Sequence, residues 1–176
     1  PPRLGAIAGA SAINIAMSTL NTYSENVIAY ALDGNGHQFI SELLSVASGA
    51  RISSKDCTGE ILDDIKPMLS KFEQMPFFFY DEIGLDVEKL TTSARSISEK
   101  NGQIALIIID AIHMMKSDND WDPVANMFAL KKLAKELKCV VIVTSEVSSC
   151  VEWRPNRRPL LMDLPESLEV FADYVW

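Results

Sequence analysis

Polar side chains that could carry out chemistry follow the ends of several apolar runs in this sequence. They are Asp33, Asp110, the segment Thr144-Ser145-Glu146, and the arginines Arg154, Arg157 and Arg158. A carboxylate at the end of a hydrophobic strand is what a nucleoside triphosphate site uses to hold the water shell of Mg²⁺. The same carboxylate can instead cap the next turn. Taken one at a time, these residues leave both interpretations open.

Other residues with reactive or aromatic side chains have a structural interpretation. His37 and His113 have no partner at the spacing that metal ligands need, and we expect both to be structural. The run Phe77-Phe78-Phe79 is expected in the core, not as a platform for stacking bases. Asp33 can be a turn residue between glycines, Glu146 a loop acid, and the arginines part of a solvated loop.

Two alternating patterns describe the elements that would position the polar groups. Short apolar runs rich in β-branched residues predict buried strands at Leu4 to Ala10, Val27 to Leu32, Phe77 to Tyr80, Ile104 to Ile109 and Val140 to Thr144, and the start of another at Tyr174 to Trp176. Longer segments predict helices at Ser11 to Leu20, Gly36 to Ser48, Thr58 to Met75, Asp86 to Lys100 and Pro123 to Leu137. This alternation predicts an α/β fold with a mainly parallel sheet, whose ligands bind beyond the carboxyl ends of the strands.

Composition limits the class of protein. The chain has 176 residues, 48% of them hydrophobic, which is enough for one domain, residues 1–176, with a full core. Sixteen Lys and Arg against 24 Asp and Glu give a net charge of −8, so any contact with nucleic acid must be local. Three cysteines without CxxC spacing argue against a disulfide framework or a zinc site. The apolar runs are far shorter than the ~20 residues of a membrane helix, and we expect a cytoplasmic protein.

Several longer motifs follow one another in a specific order. They are Tyr30-Ala31-Leu32-Asp33, Ile107-Ile108-Ile109-Asp110 with Met114-Met115, the helix Leu130 to Leu137, Thr144-Ser145-Glu146-Val147, Val151 to Pro159 and Asp163-Leu164 with Glu166-Ser167. Together they resemble the C-terminal RecA-like ATPase domain of the DnaB family of replicative DNA helicases, from about Leu4 to Trp176. The chain would then be a fragment of a longer protein.

The resemblance implies a role for each polar group. Asp110 would hold the Mg²⁺ shell, Asp33 would polarise the attacking water and Glu146 would report the γ-phosphate. Arg157 or Arg158 would reach a neighbouring subunit's phosphate, and Gly9, Ala10 and Ser11 stand where ATP phosphates would bind. The implied cofactors are ATP and Mg²⁺. The implied partners are single-stranded DNA, further copies in a hexameric ring, and a primase or helicase loader.

The chain departs from the family's pattern at several positions. The Gly-Lys-Thr phosphate loop, about eight residues, should stand between Ala10 and Ser11, where nothing separates the two. Two explanations are open: a true deletion, which would make a pseudo-ATPase, or the omission of loop residues from this sequence. Asp33 replaces a catalytic Glu, Glu146 replaces a Gln and Pro165 replaces an Arg. These substitutions put the efficiency of hydrolysis in doubt.

Three functions therefore compete. The first is an ATP-dependent helicase domain. The second is a nucleotide-free module of the same fold that acts as a replication interaction or regulatory partner. The third, a RecA-like recombinase or a relative of clock-type ATPases, should lack the segments Arg154 to Pro159 and Asp163 to Ser167.

Overall fold

Parallel strands form the central sheet in the computed structural model of the chain, and the described residues give it four, in the order β2-β1-β3-β4. The strands are β1 Asn26–Ala31, β2 Phe77–Asp81, β3 Ile104–Asp110 and β4 Val140–Val143. The helices are α1 Leu4–Thr22, α2 Gly36–Ser48, α3 Val87–Asn101 and α4 Pro123–Leu137, with 3₁₀ turns at Ile112–Met114, Ser149–Trp153, Leu161–Asp163 and Leu168–Phe171. The structure describes residues 4–34, 36–49, 66, 69–70, 72–116, 122–165 and 168–175, and of residues 4–8 the backbone alone.

Helices cover both faces of the sheet. Successive side chains of a strand point to opposite faces, so Val27 and Ala29 of β1 pack with α1 and α2, whereas Ile28 and Tyr30 pack with α3 and α4. The central strands β1 and β3 are buried on both faces, which explains why their sequences are continuously apolar. The prediction that β2 and β4 are buried as well is wrong: β2 is half-buried and Val140 of β4 is 60% exposed, because each pairs on one side only among the described strands. The fold confirms the predicted parallel sheet flanked by helices.

Most predicted elements are confirmed with shifts of a residue or two. The helices α2 and α4 begin and end at the predicted residues. Asp86 is the N-cap of α3, because its carboxylate accepts a hydrogen bond of 2.7 Å from the backbone N–H of Lys89. The phenylalanines of β2 are half-buried and pack against the core: Phe79 stacks on Phe39 at a centroid distance of 5.4 Å.

The predicted first strand, Leu4 to Ala10, is wrong. These residues form the first two turns of α1, which continues to Thr22. Three of the seven are alanine, the strongest helix former, and only Ile7 is β-branched. No turn residue separates them from the helix that follows, so helix propagation, which adds a hydrogen bond for each residue, extends back through them.

The strand predicted to begin at Tyr174 is also wrong over the described residues. Tyr174 and Val175 pair with no strand, and Tyr174 is 85% exposed, so this segment is not laid on the sheet. Trp176 lies outside the described residues. Most of the helix predicted at Thr58 to Met75 also lies outside them, and within its described part Lys66, Leu69, Ser70 and Phe72 are helical.

Two further predictions concern cysteines and membranes. Cys139 and Cys150 are free thiols, and Cys57 lies outside the described residues. Over the described part of the chain, no helix combines the length and the apolar character needed to cross a membrane.

Candidate active site

The carboxyl ends of three neighbouring strands meet at one edge of the sheet. Asp110 ends β3, Thr144 directly follows β4, and Asp33 lies two residues beyond β1. Asp110 and Thr144 point toward α1 because they continue the alternation of Ile108 and Ile142, whose side chains pack on that face. The strand register therefore brings the three predicted positions together.

A cavity of about 390 Å³ lies between this edge and the helices α1 and α2. Asp33, Asp110 and Glu146 all line it, as do Gly9, Gln38, Glu42, His113, Thr144 and Ser145. Asp33, Asp110 and Glu146 were predicted separately as site residues. The structure places them in one crevice next to the first helix.

Asp110 is held by hydrogen bonding to Thr144, the residue that directly follows β4. The Thr144 hydroxyl donates to Asp110 Oδ1 at 2.5 Å, and the backbone N–H of Ala111 donates to Thr144 Oγ1 at 2.8 Å. Burial is the main cause that raises the pKa of Asp110, and the Thr144 hydrogen bond opposes it. The nearby negative charge of Asp33 raises the pKa of Asp110 further, whereas His113 lowers it.

The charge of the cavity is negative. Four carboxylates line it, from Asp33, Glu42, Asp110 and Glu146, and His113 is the lining residue that can carry a positive charge. Among the described lining residues, none is Lys or Arg. The wall as described therefore repels an anion unless a cation or a basic segment accompanies it.

The predicted phosphate-binding positions lie inside α1. Gly9 lines the cavity, and a methyl group placed on it would lie 4.0 Å from Asp110 Oδ2. Ala10 and Ser11 follow in the interior of the helix, where the backbone N–H groups bond to carbonyls one turn earlier. These amides do not form the open nest that binds phosphate in a phosphate loop.

Arg157 and Arg158, the predicted arginine fingers, are exposed in the segment after the turn Ser149–Trp153 and do not line the cavity. Arg157 has a left-handed backbone, with φ of 48°. The third arginine, Arg154, makes a two-pronged ion pair with Asp163 and therefore serves the loop's own structure.

The two histidines differ in position. His37 is exposed on α2, whereas His113 lies at the cavity wall with Nε2 3.8 Å from Glu146 Oε1. The Nδ1 atom of His113 is buried and has no hydrogen-bond partner among the described residues. The sequence shows no spacing signal for His113, because its neighbour Glu146 lies in the loop three residues beyond β4.

The residues fit a magnesium ion better than they fit the phosphates. Over the described residues, no three His, Cys, Asp or Glu side chains converge as a metal cage. Mg²⁺ does not need one, since it keeps several waters and takes one or two carboxylates, with the remaining ligands from substrate phosphates. Asp110 meets that requirement. The groups that would bind the phosphates themselves are not among the described lining residues.

Comparison with known proteins decides the family. The family model described as the DnaB-like helicase C terminal domain matches residues 4–176. The chain belongs to this family. Its relatives include replicative DNA helicases DnaB from Nostoc sp., 31% identical over 164 residues, and from Haemophilus influenzae, 29% identical over 174 residues. These alignments cover 88% and 92% of the chain but 18% and 37% of the two relatives.

Two solved structures share the fold of this DnaB-like domain. One solved ATPase domain matches with a TM-score of 0.80 at 25% identity, over 94% of this chain and 62% of that one. The structure of a DnaB-like replicative helicase and its interactions with primase also matches with a TM-score of 0.80. The match has 24% identity and covers 98% of this chain and 43% of that one. The second likeness supports the fold alone. The fold of this DnaB-like domain is thus the RecA-like fold that its motifs predicted.

The sequence predicted no role for Thr144, although its hydroxyl donates a hydrogen bond directly to Asp110. Its position two residues after the buried Ile142 was the available signal, since that spacing puts both on one face. Gln38 and Glu42 of α2 also line the cavity without having been predicted.

Proposed function

We propose that this DnaB-like chain is the motor domain of a replicative DNA helicase, which couples ATP hydrolysis to movement along single-stranded DNA and to duplex unwinding. The observation that carries the proposal is the meeting of Asp33, Asp110 and Glu146 in one cavity beside α1. Ligands of open parallel sheets bind at this edge, beyond the carboxyl ends of the strands.

Each carboxylate has a separate task in this proposal. Asp110 presents Oδ2 to the side of Gly9, where it can hold the water shell of a magnesium ion. Mg²⁺, when bound, supplies positive charge that offsets the phosphates. Asp33 orients and polarises the attacking water, and Glu146 reports whether the cavity is filled. Asp33 is one methylene shorter than the family's Glu, so it reaches less far from its loop.

The described lining residues include no Lys or Arg, and a neighbouring copy can supply cationic groups. Arg157 and Arg158 are exposed and can meet the cavity of a neighbouring copy in a hexameric ring. A ring concentrates a few cationic residues in its pore, which reconciles binding of single-stranded DNA with a net charge of −8. We further propose a primase or helicase loader as partner, and the cytoplasm as the compartment.

A phosphate-binding segment between Ala10 and Ser11 is required for this activity. The interior of α1 does not supply one, so no step at the phosphates is assigned to its residues. The gene that encodes the chain, read across Ala10 and Ser11, shows whether the segment exists.

A nucleotide-free interaction module of the same fold is the second candidate function. The continuous helix α1 and the acidic cavity wall both favour it. Such a module would keep the fold and bind a replication partner through its surface, with no hydrolysis.

ATP binding and hydrolysis by the protein from the intact gene separate the two candidates. We expect Asp110→Ala to lower turnover by about a hundredfold or more. Glu152→Ala is the matched control, because Glu152 is an exposed carboxylate that does not line the cavity, and its turnover should stay at the wild-type level. No binding at millimolar ATP would refute the motor and leave the interaction module.

A further inference from the structure

The side chain of Thr144 is placed by backbone bonds that do not depend on its hydroxyl. Its N–H donates to the carbonyl of Ile109 at 2.9 Å, and its own carbonyl accepts from the N–H of Ile112 at 3.0 Å. These bonds extend the pairing of β4 with β3 by one step beyond Ile109 and Val143. These bonds place the Thr144 side chain on the face that Asp110 occupies, independently of the hydrogen bonds of its hydroxyl.

The hydroxyl hydrogen of Thr144 is donated to Asp110. Because the N–H of Ala111 donates to Oγ1 at 2.8 Å, that oxygen already acts as an acceptor, and its hydrogen is left for Asp110 Oδ1 at 2.5 Å. Ala111 adopts a left-handed backbone, with φ of 70°, which is uncommon for alanine. This conformation accompanies the bond from its N–H to Thr144.

The two oxygens of Asp110 are thus distinguished. Oδ1 is occupied by the Thr144 hydroxyl, whereas Oδ2 lies on the side of Gly9 and the cavity. Thr144 is only 8% exposed, so water does not compete freely for the bond.

We propose that Thr144 is a positioning residue: its hydroxyl locks one rotamer of Asp110 and so presents Oδ2 to the cavity. The consequence for magnesium rests on the proposed function, but the lock itself does not. Residues behind a metal-binding carboxylate affect metal affinity because they orient it.

Thr144→Val tests the lock, since valine keeps the shape and removes the hydroxyl. The first readout is the rotamer of Asp110 in nucleotide-free protein, from the three-bond couplings of its Cγ to the backbone N and C′. We expect one fixed rotamer in the wild type and in Thr144→Ser, and averaged couplings in Thr144→Val. Thr144→Ala is measured in the same way if the valine variant does not fold.

The second readout is the Mg²⁺ concentration that half-saturates ATP hydrolysis. It should rise roughly tenfold or more in Thr144→Val, with Thr144→Ser close to the wild type. Thr91→Val is the matched control: Thr91 is 7% exposed and its hydroxyl donates at 3.0 Å to the Glu88 carbonyl, but it lies on α3 outside the cavity. It should change neither readout.

The outcomes separate the two proposals. The positioning role is overturned if Asp110 keeps a single rotamer in Thr144→Val. It is also overturned if the Asp110 couplings are averaged in Thr91→Val as they are in Thr144→Val. An unchanged Mg²⁺ requirement in a Thr144→Val protein that hydrolyses ATP also overturns it. If the wild type neither binds nor hydrolyses ATP, the motor function fails, and the couplings still decide whether Thr144 locks Asp110.

Discussion

Arg154 and Asp163 form a two-pronged ion pair across nine residues of chain. Nη1 of Arg154 lies 2.5 Å from Asp163 Oδ2, and Nη2 lies 2.7 Å from Oδ1. The Asp163 carboxylate also accepts a hydrogen bond of 2.7 Å from the backbone N–H of Leu160, and Asp163 is 4% exposed. Because this pair engages Arg154 within its own loop, Arg157 and Arg158 remain as the candidates for contact with another subunit.

The first prediction concerns the acid sensitivity of this loop. The Arg154 guanidinium, with a smaller contribution from the Leu160 N–H, holds the pKa of Asp163 below its ordinary value. A carboxylate whose pKa is lowered by folding stabilises the protein above its unfolded pKa of about 3.9 and loses that effect as pH falls through the folded pKa. The free energy of unfolding of the wild type should therefore exceed that of Asp163→Asn by a constant amount above pH ~5 and approach it in acid.

Urea unfolding of both proteins between neutral and acidic pH measures this difference. Arg158→Ala is the control, because its side chain is exposed, and it should unfold at the wild-type urea concentration throughout. A gap between wild type and Asp163→Asn that stays the same down to pH ~2 would contradict the assigned role.

The second prediction concerns the close approach of α2 to the edge strand β2. A Cβ atom built on Gly36 would overlap Oδ2 and Cγ of Asp81 and lie 2.9 Å from its Cβ. Gly36→Ala should lower the free energy of unfolding by about 1–3 kcal/mol, the typical cost of overpacking. Asp81→Ala removes the two nearest atoms, so Gly36→Ala should cost clearly less in that background.

A double-mutant cycle in urea measures the coupling between the two positions. Val46→Ala on the same helix is the control, since Val46 is 37% exposed, and its change should stay within about 0.5 kcal/mol. If the effects of the two substitutions on the free energy of unfolding simply add, the contact with Asp81 is not the reason that position 36 requires glycine.

The third prediction concerns the charge of Glu146, at a position where the family resemblance implies a Gln. Its side chain is 75% exposed at the cavity wall, so solvent screens its repulsion of a triphosphate. Glu146→Gln should tighten binding of Mg-ATP by about two- to fivefold at low salt, and by less at high salt.

Calorimetric titration with a non-hydrolysable ATP analogue at two salt concentrations measures the effect. Glu152→Gln removes an exposed carboxylate away from the cavity and should leave the affinity unchanged. Weaker binding by Glu146→Gln would show that the carboxylate holds the metal ion's water shell instead of repelling the phosphates.

Much of the fold was predictable because the decisive signals are local. Continuous apolar runs marked the strands, and Asp86 and Pro123 marked the starts of two helices. The acid at the end of a run was visible in the sequence itself, as with Asp110 after Ile107-Ile108-Ile109. The carboxylates of the site were found in this way, from their positions at strand ends.

The first strand could not be predicted in the same way. The run Leu4 to Ala10 is apolar enough for a buried strand. Whether such a run becomes strand or helix depends on what it joins and packs against, and here it joins α1 without a break.

By itself, the amino-acid sequence determined the alternation of strands and helices, the parallel sheet and the polar groups that follow several strands, because hydrophobic period and capping act within a few residues. Only the tertiary structure decided that Thr144 bonds Asp110, that His113 faces Glu146 and that Arg154 is held by Asp163. Two of these pairs join residues far apart in the chain, and the third closes a loop, so their geometry follows from strand order, register and loop path.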